Sequence, residues 1–238
     1  MKDKAQIQLP PTFADRVISF NKHLDFNIPL PEGIAVMNPF QGENSVIENM
    51  ELFYKKFYDD NRLRKFIIGI NPGRFGAGLT GVPFTDTKRL QSICNIPTDA
   101  KSSHEPSAVF VYKMIAEYGG VEKFYGDIYI NSVFPLAIIR RSDKGNWVNC
   151  NYYDDKALFE ILEPYMVAYL KQQLTLGVAT DKVFVLGKKN ALFLNKINEQ
   201  AHLFKEIIYL EHPRFIQQYK SKDMDYYIEK YIAQLSRP

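Results

Sequence analysis

The stretch Phe66-Ile-Ile-Gly-Ile-Asn-Pro-Gly-Arg-Phe-Gly-Ala-Gly-Leu-Thr-Gly-Val-Pro-Phe84 decides the fold class of this chain. It begins as a short apolar run that favours a buried strand, and Asn71-Pro-Gly73 ends that strand abruptly. A glycine-rich loop follows. In open α/β folds, ligands bind at the carboxyl ends of such strands. The stretch therefore predicts a strand that opens into a ligand-binding loop.

This loop lacks the patterns of the common phosphate-binding loops, namely a Gly-Lys-Ser/Thr ending and a Gly-x-Gly-x-x-Gly frame. The function of the loop must therefore depend on other residues, and Asn71 is the first polar side chain in it. Because a proline follows it, Asn71 is biased away from helical backbone. Its amide can orient a water molecule but does not titrate. The alternative is that Asn71 only closes a β-turn.

Apolar strands alternate with helices along the rest of the chain. Further strands are predicted over residues 127–133, 182–186 and 206–210. Helices are predicted from Ser45 and over residues 105–118, 154–174, 189–200 and 223–235. This alternation predicts a three-layer αβα fold with a central four-stranded, mainly parallel sheet. We expect a single domain over residues 1–238, in which the proline-rich residues 1–43 form an extended arm with one short helix near residues 13–24.

Right-handed crossovers place the carboxyl ends of parallel strands at one edge of the sheet. Each predicted strand delivers a polar or permissive residue there: Asn71, Asn131, Gly187 and His212. A buried Asn131 must have its amide satisfied, and an amide matches the donor and acceptor edge of a pyrimidine. Alternatively, Asn131 caps a loop, and His212 is an ordinary loop histidine.

Aromatic and basic residues accompany these strand ends. Phe84 follows a proline at the mouth of the glycine loop, where it could stack on a flat base for ~1–3 kcal/mol, although a lone Phe also suits the core. Lys188 opens a helix at the same edge, and helix N-termini favour phosphate. Arg214 lies either in a DNA-facing loop or in a solvated one.

Composition restricts the class of protein. The 238 residues carry a net charge of +3, a balance that permits a nucleic-acid partner without requiring one. Two cysteines cannot form a disulfide framework or a four-cysteine metal site. The sequence shows no secretory signal and no apolar run of membrane-spanning length. We expect a cytoplasmic monomer that needs no metal and no cofactor.

The motifs together resemble the uracil-DNA glycosylase superfamily, and they are closest to its single-strand-selective monofunctional branch. The resemblance covers roughly residues 36–225. It rests on Gly69-Ile-Asn-Pro-Gly-Arg-Phe-Gly76, on Tyr129-Ile-Asn-Ser-Val-Phe-Pro-Leu136 and on Leu210-Glu-His-Pro-Arg214. Two departures are visible. The first motif lacks the Asp of the classical enzymes, and His-Pro-Arg replaces the usual His-Pro-Ser-Pro-Arg, which alters the loop that wedges into DNA.

The resemblance implies a role for each residue. Asn71 would position the attacking water and His212 would stabilise charge on the leaving base, as the catalytic pair. Phe84 would stack on the flipped base and Asn131 would read its edge, in a base site that also includes Gly69 and Ile70. Gly73, Lys188 and Arg214 would contact DNA, with Arg214 in the loop that wedges into the duplex.

The expected activity is hydrolysis of the N-glycosidic bond of uracil in DNA, without a lyase step. Other damaged bases are a further possibility. A catalytically silent DNA-damage-binding protein of the same fold is the first alternative. The second is an α/β hydrolase acting on free nucleotides or nucleosides.

Overall fold

A computed structural model describes residues 10–42 and 44–237 of the chain. At its centre lies a sheet of four parallel strands in the order β3-β2-β6-β7. These strands are β2 (Arg64–Gly69), β3 (Ile128–Ser132), β6 (Val178–Leu186) and β7 (Glu206–Leu210). Helices flank the sheet, so the predicted α/β fold class is confirmed.

The apolar beginning of the stretch Phe66–Phe84 belongs to β2, one of the two central strands of this sheet. Strand β2 pairs with β3 on one side and with β6 on the other, and Phe66, Ile67 and Ile68 are fully buried. A parallel strand that is covered on both faces is expected to be apolar at successive positions rather than at alternate ones. The strand ends at Gly69, and Ile70 separates it from the Asn-Pro-Gly turn.

The helices begin and end where local sequence signals place them. In the first, Thr12 and Asp15 form a capping box, and in the fifth Pro106 opens the helix and Gly119 ends it in a left-handed conformation. The helices are α1 (Phe13–Lys22), α2 (Asn44–Phe57), α3 (Ala77–Thr80), α4 (Thr87–Ser92), α5 (Pro106–Tyr118), α6 (Val121–Asp127), α7 (Lys156–Leu174), α8 (Lys188–Ala201), α9 (Pro213–Tyr219) and α10 (Met224–Leu235). Among the described residues, no helix is long and apolar enough to cross a membrane.

The short helix predicted near residues 13–24 is present as α1, but the expectation that residues 10–42 otherwise form an extended arm is wrong. Helix α1 packs into the core through Phe13, Ala14 and Val17, which are fully buried. After it, β1 (Ile34–Met37) joins a second sheet, in which all pairings are antiparallel. The apolar face of α1 outweighs the extended bias of the surrounding prolines. The part of the arm prediction that concerns residues 1–9 and 43 lies outside the described residues.

The second sheet has the order β1-β4-β5, with β4 (Ala137–Arg141) and β5 (Trp147–Cys150) forming a hairpin. Neither of these two strands was predicted. A further difference concerns the segment after His212, which was expected to be a loop. It forms helix α9, because His212 accepts a hydrogen bond from the Arg214 backbone N–H as the N-cap and Pro213 occupies the first turn.

Candidate active site

A cleft of about 540 Å³ opens at the carboxyl ends of the parallel strands. Three of the predicted strand-end positions contribute to its lining: Asn71 after β2, Gly187 after β6 and His212 after β7. The lining also includes other predicted site residues, namely Ile70, Gly73, Phe84, Lys188 and Arg214. Parallel topology therefore brings together residues that are up to 144 positions apart in the sequence, from Ile70 to Arg214.

Asn71 is held by the chain segment that leaves β5. Its side-chain Nδ2 donates to the Cys150 carbonyl at 3.0 Å, and its Oδ1 accepts from the Tyr152 backbone N–H at 3.3 Å. These two bonds fix the plane of the amide. An Asn amide has a second N–H and a second lone pair. The second N–H makes a long bond of 3.5 Å to the Pro72 carbonyl, so the second lone pair of Oδ1 is what remains for a ligand or a water molecule in the cleft.

The Tyr152 backbone is itself anchored from the interior. The Tyr152 hydroxyl donates to Asn190 Oδ1 at 2.6 Å, and both side chains are fully buried. Asn190 Nδ2 in turn donates to the carbonyls of Ile68 in β2 and Leu186 in β6, at 3.3 and 3.2 Å. A network of buried hydrogen bonds therefore links Asn71 to the two central strands of the sheet.

His212 is a neutral imidazole in this environment. Burial, followed by the positive charge of Arg214, lowers its pKa to about 4. Its Nδ1 accepts the Arg214 backbone N–H at 3.1 Å. Because a neutral imidazole carries a single proton, that proton must be on Nε2. His212 therefore offers a hydrogen-bond donor without carrying a positive charge.

Phe84 lies beside His212, and the two ring centroids are 6.0 Å apart. Its backbone φ is +54°, a left-handed value that costs energy for a non-glycine residue and often marks functional sites. Gly69 does not line the cleft, but it packs between Ser132 and this ring, and a Cβ added there would lie 3.3 Å from Ser132 Oγ. A Cβ added at Gly69 would lie 3.4 Å from Phe84 Cε2.

The structure does not bring Asn131 to the cleft, in contrast to the prediction. Asn131 is buried, its Nδ2 donates to the Tyr129 hydroxyl at 2.7 Å, and its Oδ1 accepts the Ser132 backbone N–H at 2.9 Å. It faces a separate, nearly filled space of about 10 Å³, which shares Pro72 with the cleft. This geometry satisfies the amide within the protein, as the capping alternative requires.

Several cations line the cleft or lie close to it, and Glu105 is an acidic residue among them. Among the described residues, no ion pair includes Arg74, Lys188, Lys189 or Arg214. Lys188 and Lys189 form the first turn of α8, where the helix dipole also favours anions. The edge of the sheet is thus suited to a polyanion.

Sequence reasoning missed several residues of the cleft. Glu105, Ser107, Asn149 and Tyr153 line it, although no motif marks them. Burial and the neighbouring Asp86 raise the pKa of Glu105 to about 7. Glu105 directly precedes Pro106, the first residue of α5, so its sequence context indicates only the start of a helix. No group of three or more His, Cys, Asp or Glu side chains suited to a metal ion occurs among the described residues.

Fold and cleft together define a class: α/β proteins with a polar, cation-rimmed ligand site at the carboxyl edge of a parallel sheet. Within this class, the family model of the uracil DNA glycosylase superfamily matches residues 55–236 of the sequence. The chain belongs to that superfamily. The crystal structure of wild-type SMUG2 from Pedobacter heparinus is similar, with a TM-score of 0.91 and 51% sequence identity over 94% of this chain and 96% of that chain.

No curated protein sequence matches this chain. The predicted resemblance to the superfamily and to its single-strand-selective branch is confirmed. The family and the structural similarity support a DNA glycosylase, a hydrolase that acts on DNA.

Proposed function

We propose that this protein is a monofunctional glycosylase that hydrolyses the N-glycosidic bond of uracil in DNA. The observation that carries the proposal is the neutral His212, whose Nδ1 is occupied by the Arg214 N–H and whose Nε2 is left as a donor in the cleft that Asn71 and Phe84 also line. Departure of uracil leaves negative charge on a carbonyl oxygen. A donor positioned for that charge contributes ~2.7–4 kcal/mol, or about 10²–10³ in rate.

Asn71 supports the same reaction by positioning. Its amide is fixed by the backbone of residues 150–152, and its Oδ1 retains one lone pair that can accept a hydrogen bond from a water molecule. A water molecule held by this amide would be placed for attack on the sugar carbon once the base begins to leave. An amide is a poor proton acceptor, so in this mechanism the leaving base is activated more strongly than the water.

The base must leave the helical stack before it can enter the cleft. Flipping costs a few kcal/mol, and least for a mispaired or single-stranded base. Stacking of the flipped base on an aromatic ring offsets this cost by ~1–3 kcal/mol. Phe84 is partly exposed in the cleft and lies next to His212, so it is the ring suited to this role.

An excision assay tests the proposal. A labelled oligonucleotide with one uracil is incubated with the protein and then treated with alkali, which cleaves the strand at abasic sites. We expect excision by the wild type, dependence of strand cleavage on the alkali, and a loss of about 10²–10³ in single-turnover rate for His212→Ala. Asn71→Ala is expected to lose most of its rate while it still binds DNA.

Matched controls separate chemistry from folding. His23→Ala and Asn27→Ala remove the same side chains at exposed positions outside the cleft. Both controls should retain the wild-type rate. Binding of uracil DNA without any excision by the wild type would favour the silent damage-binding alternative, and wild-type rates in both site variants would overturn the assignment of the two residues.

A further inference from the structure

We propose that the β4–β5 hairpin is a second DNA-binding surface, on which Arg141 and Trp147 hold the strand that runs out of the cleft. The proposal rests on the proposed function, because it takes DNA as the ligand, and it adds a contact region that lies outside the glycosylase motifs. The occupant is the sugar-phosphate backbone and a base a short distance from the nucleotide in the cleft.

The register of the hairpin places this pair on the face that reaches the cleft. Arg141 is opposite Trp147, and Ile139 is opposite Asn149, which lines the cleft. Directly opposed residues of an antiparallel pair share one face, and so do residues two apart along a strand. Asn149, Trp147 and Arg141 therefore lie on the same face of the hairpin.

The spacing suits a nucleic-acid strand. Two residues along a strand span roughly 7 Å, which is close to the rise of about two stacked nucleotides. When the damaged nucleotide of a DNA strand lies in the cleft beside Asn149, a neighbouring nucleotide of the same DNA strand would thus lie beside Trp147.

The hairpin cannot move independently of the cleft. The Arg74 backbone N–H donates to Asn149 Oδ1 at 3.3 Å, and Asn71 Nδ2 donates to the Cys150 carbonyl at 3.0 Å. Both bonds join β5 to the loop that follows β2. The distance between the cleft and the Arg141–Trp147 pair is therefore set by the fold.

The chemistry of the pair fits the occupant. The Arg141 guanidinium lies 4.4 Å from the centroid of the Trp147 ring, and its Nη1 donates to the Gly145 carbonyl at 2.7 Å. Arg141 is exposed, and Trp147 is half-buried. A cation beside an aromatic ring is the combination with which proteins hold single strands without reading their sequence.

Charge favours the same ligand. Arg140, Arg141 and Lys144 are exposed on the hairpin, with Asp143 as the acidic residue between them. Within the described part of the chain, none of these three cations forms an ion pair. Together with the cations around the cleft, Arg141 extends the positive surface along the face on which Asn149 lies. Lys144 adds charge at the turn, whereas Arg140 lies on the opposite face of β4. The phosphate groups of a DNA strand are anions that repeat along such a surface.

Fluorescence gives a direct test, because Trp147 is the only tryptophan of the chain. Emission is recorded while a uracil-free single-stranded oligonucleotide is added to the full-length protein, and affinity is measured at several salt concentrations by anisotropy of a labelled oligonucleotide. We expect a saturable change in Trp147 emission. Arg141→Gln should weaken binding and reduce the slope of log affinity against log salt by ~0.7–0.9, the value of one phosphate contact.

Lys171→Gln is the matched control, since it removes an exposed cation from α7 outside the cleft. It should leave the salt slope unchanged. If the wild type excises uracil while Trp147 emission stays constant at saturation and Arg141→Gln keeps the wild-type slope, the hairpin inference fails and the proposed function stands. If the wild type binds DNA with these signals but excises nothing, the proposed activity fails and the surface stands. If it binds no DNA, both fail.

Discussion

At the scale of single residues, Glu105 is the acidic residue among the cleft residues that the glycosylase motifs do not mark. Its carboxyl group packs against Gly76 so closely that a Cβ there would lie 1.9 Å from Glu105 Oε2. Burial and the carboxylate of Asp86 raise the pKa of Glu105 to about 7, while Arg89 and Arg214 oppose that shift. Below pH 7 the group is therefore a neutral acid, and above pH 7 it adds a negative charge to a cleft that otherwise attracts phosphate.

This titration predicts a pH dependence of DNA binding. As the pH rises from 6 to 8, Glu105 ionises and repels the DNA backbone, so the affinity of the wild type should fall. Glu105→Gln keeps a neutral polar side chain at all pH values, and its affinity should be nearly constant over this range. Anisotropy titrations at constant ionic strength measure the effect. Equal pH profiles for both proteins would show that Glu105 does not titrate in contact with bound DNA.

At the scale of elements, the segment after β5 controls the orientation of the proposed catalytic amide. Tyr152 donates its backbone N–H to Asn71, and its hydroxyl is bonded to Asn190, which is anchored on β2 and β6. Tyr152 is therefore a positioning residue that acts through Asn71. The end of β5 and the residues after it therefore contact Asn71, and Asn190 anchors this segment to the central sheet.

Tyr152→Phe removes this anchor and keeps the ring. The change leaves the buried Asn190 Oδ1 without its donor, which should destabilise the fold by ~1–3 kcal/mol. Because Asn71 would then be less firmly oriented, we also expect kcat to fall several-fold with little change in KM. Tyr169→Phe is the control, since the Tyr169 hydroxyl donates to the Asp25 carbonyl, outside the cleft. Steady-state kinetics and thermal melts of both variants compare the effects, and an equal loss of kcat in both would show that Tyr152 is merely structural.

Much of the central layer could be predicted because its signals are local. Apolar runs define β2 and β7, and the spacing of Val46, Met50 and Phe53 defines α2. The second sheet could not be found in this way. Its strands β4 and β5 are short, and the Arg-Arg and Asn residues within them interrupt the apolar pattern. Pairing with β1, about 100 residues earlier, makes them a sheet.

The same reasoning explains the outcome for the site. Asn71, Phe84 and His212 follow or accompany strand ends, and parallel topology brings such positions together. Glu105 and Asn149 reach the cleft from a helix start and from the unpredicted hairpin, so only tertiary structure places them there. Asn131 was expected at the cleft for its position at a strand end, for its amide and for the family resemblance, and its partners within the protein could not be foreseen.

At the scale of the whole molecule, a buried arginine joins the N-terminal segment to the central sheet. Arg64 opens β2 and is fully buried. It makes a two-pronged bond to Asp60 at 2.9 and 3.0 Å and donates to the Tyr125 carbonyl at 2.8 Å. Its guanidinium also lies 4.6 Å from the Phe13 ring centroid and 4.7 Å from that of Tyr58. Through Phe13, this cluster attaches α1 to the first strand of the central sheet.

Asp60→Asn leaves the buried charge of Arg64 without its counter-charge. Removing one partner of a buried ion pair costs ~3–5 kcal/mol, and because the Asp60 side chain is 30% exposed we expect a loss near the lower limit. Denaturant unfolding at pH 7 measures it. Asp59→Asn is the control, since Asp59 pairs with the exposed Lys55 and such pairs contribute about 0–1 kcal/mol.

The pH dependence of that loss identifies its electrostatic origin. Burial opposes ionisation of Asp60, but the hydrogen bonds from Arg64 and Arg62 outweigh it and lower the Asp60 pKa from 3.8 to about 2. A carboxyl with a lowered pKa stabilises the folded state above its unfolded value, and this contribution disappears as the pH falls through the folded value. The stability difference between the wild type and Asp60→Asn should therefore be constant above pH 5 and narrow between pH 4 and 2. A difference that does not narrow would mean that the variant loses packing rather than charge.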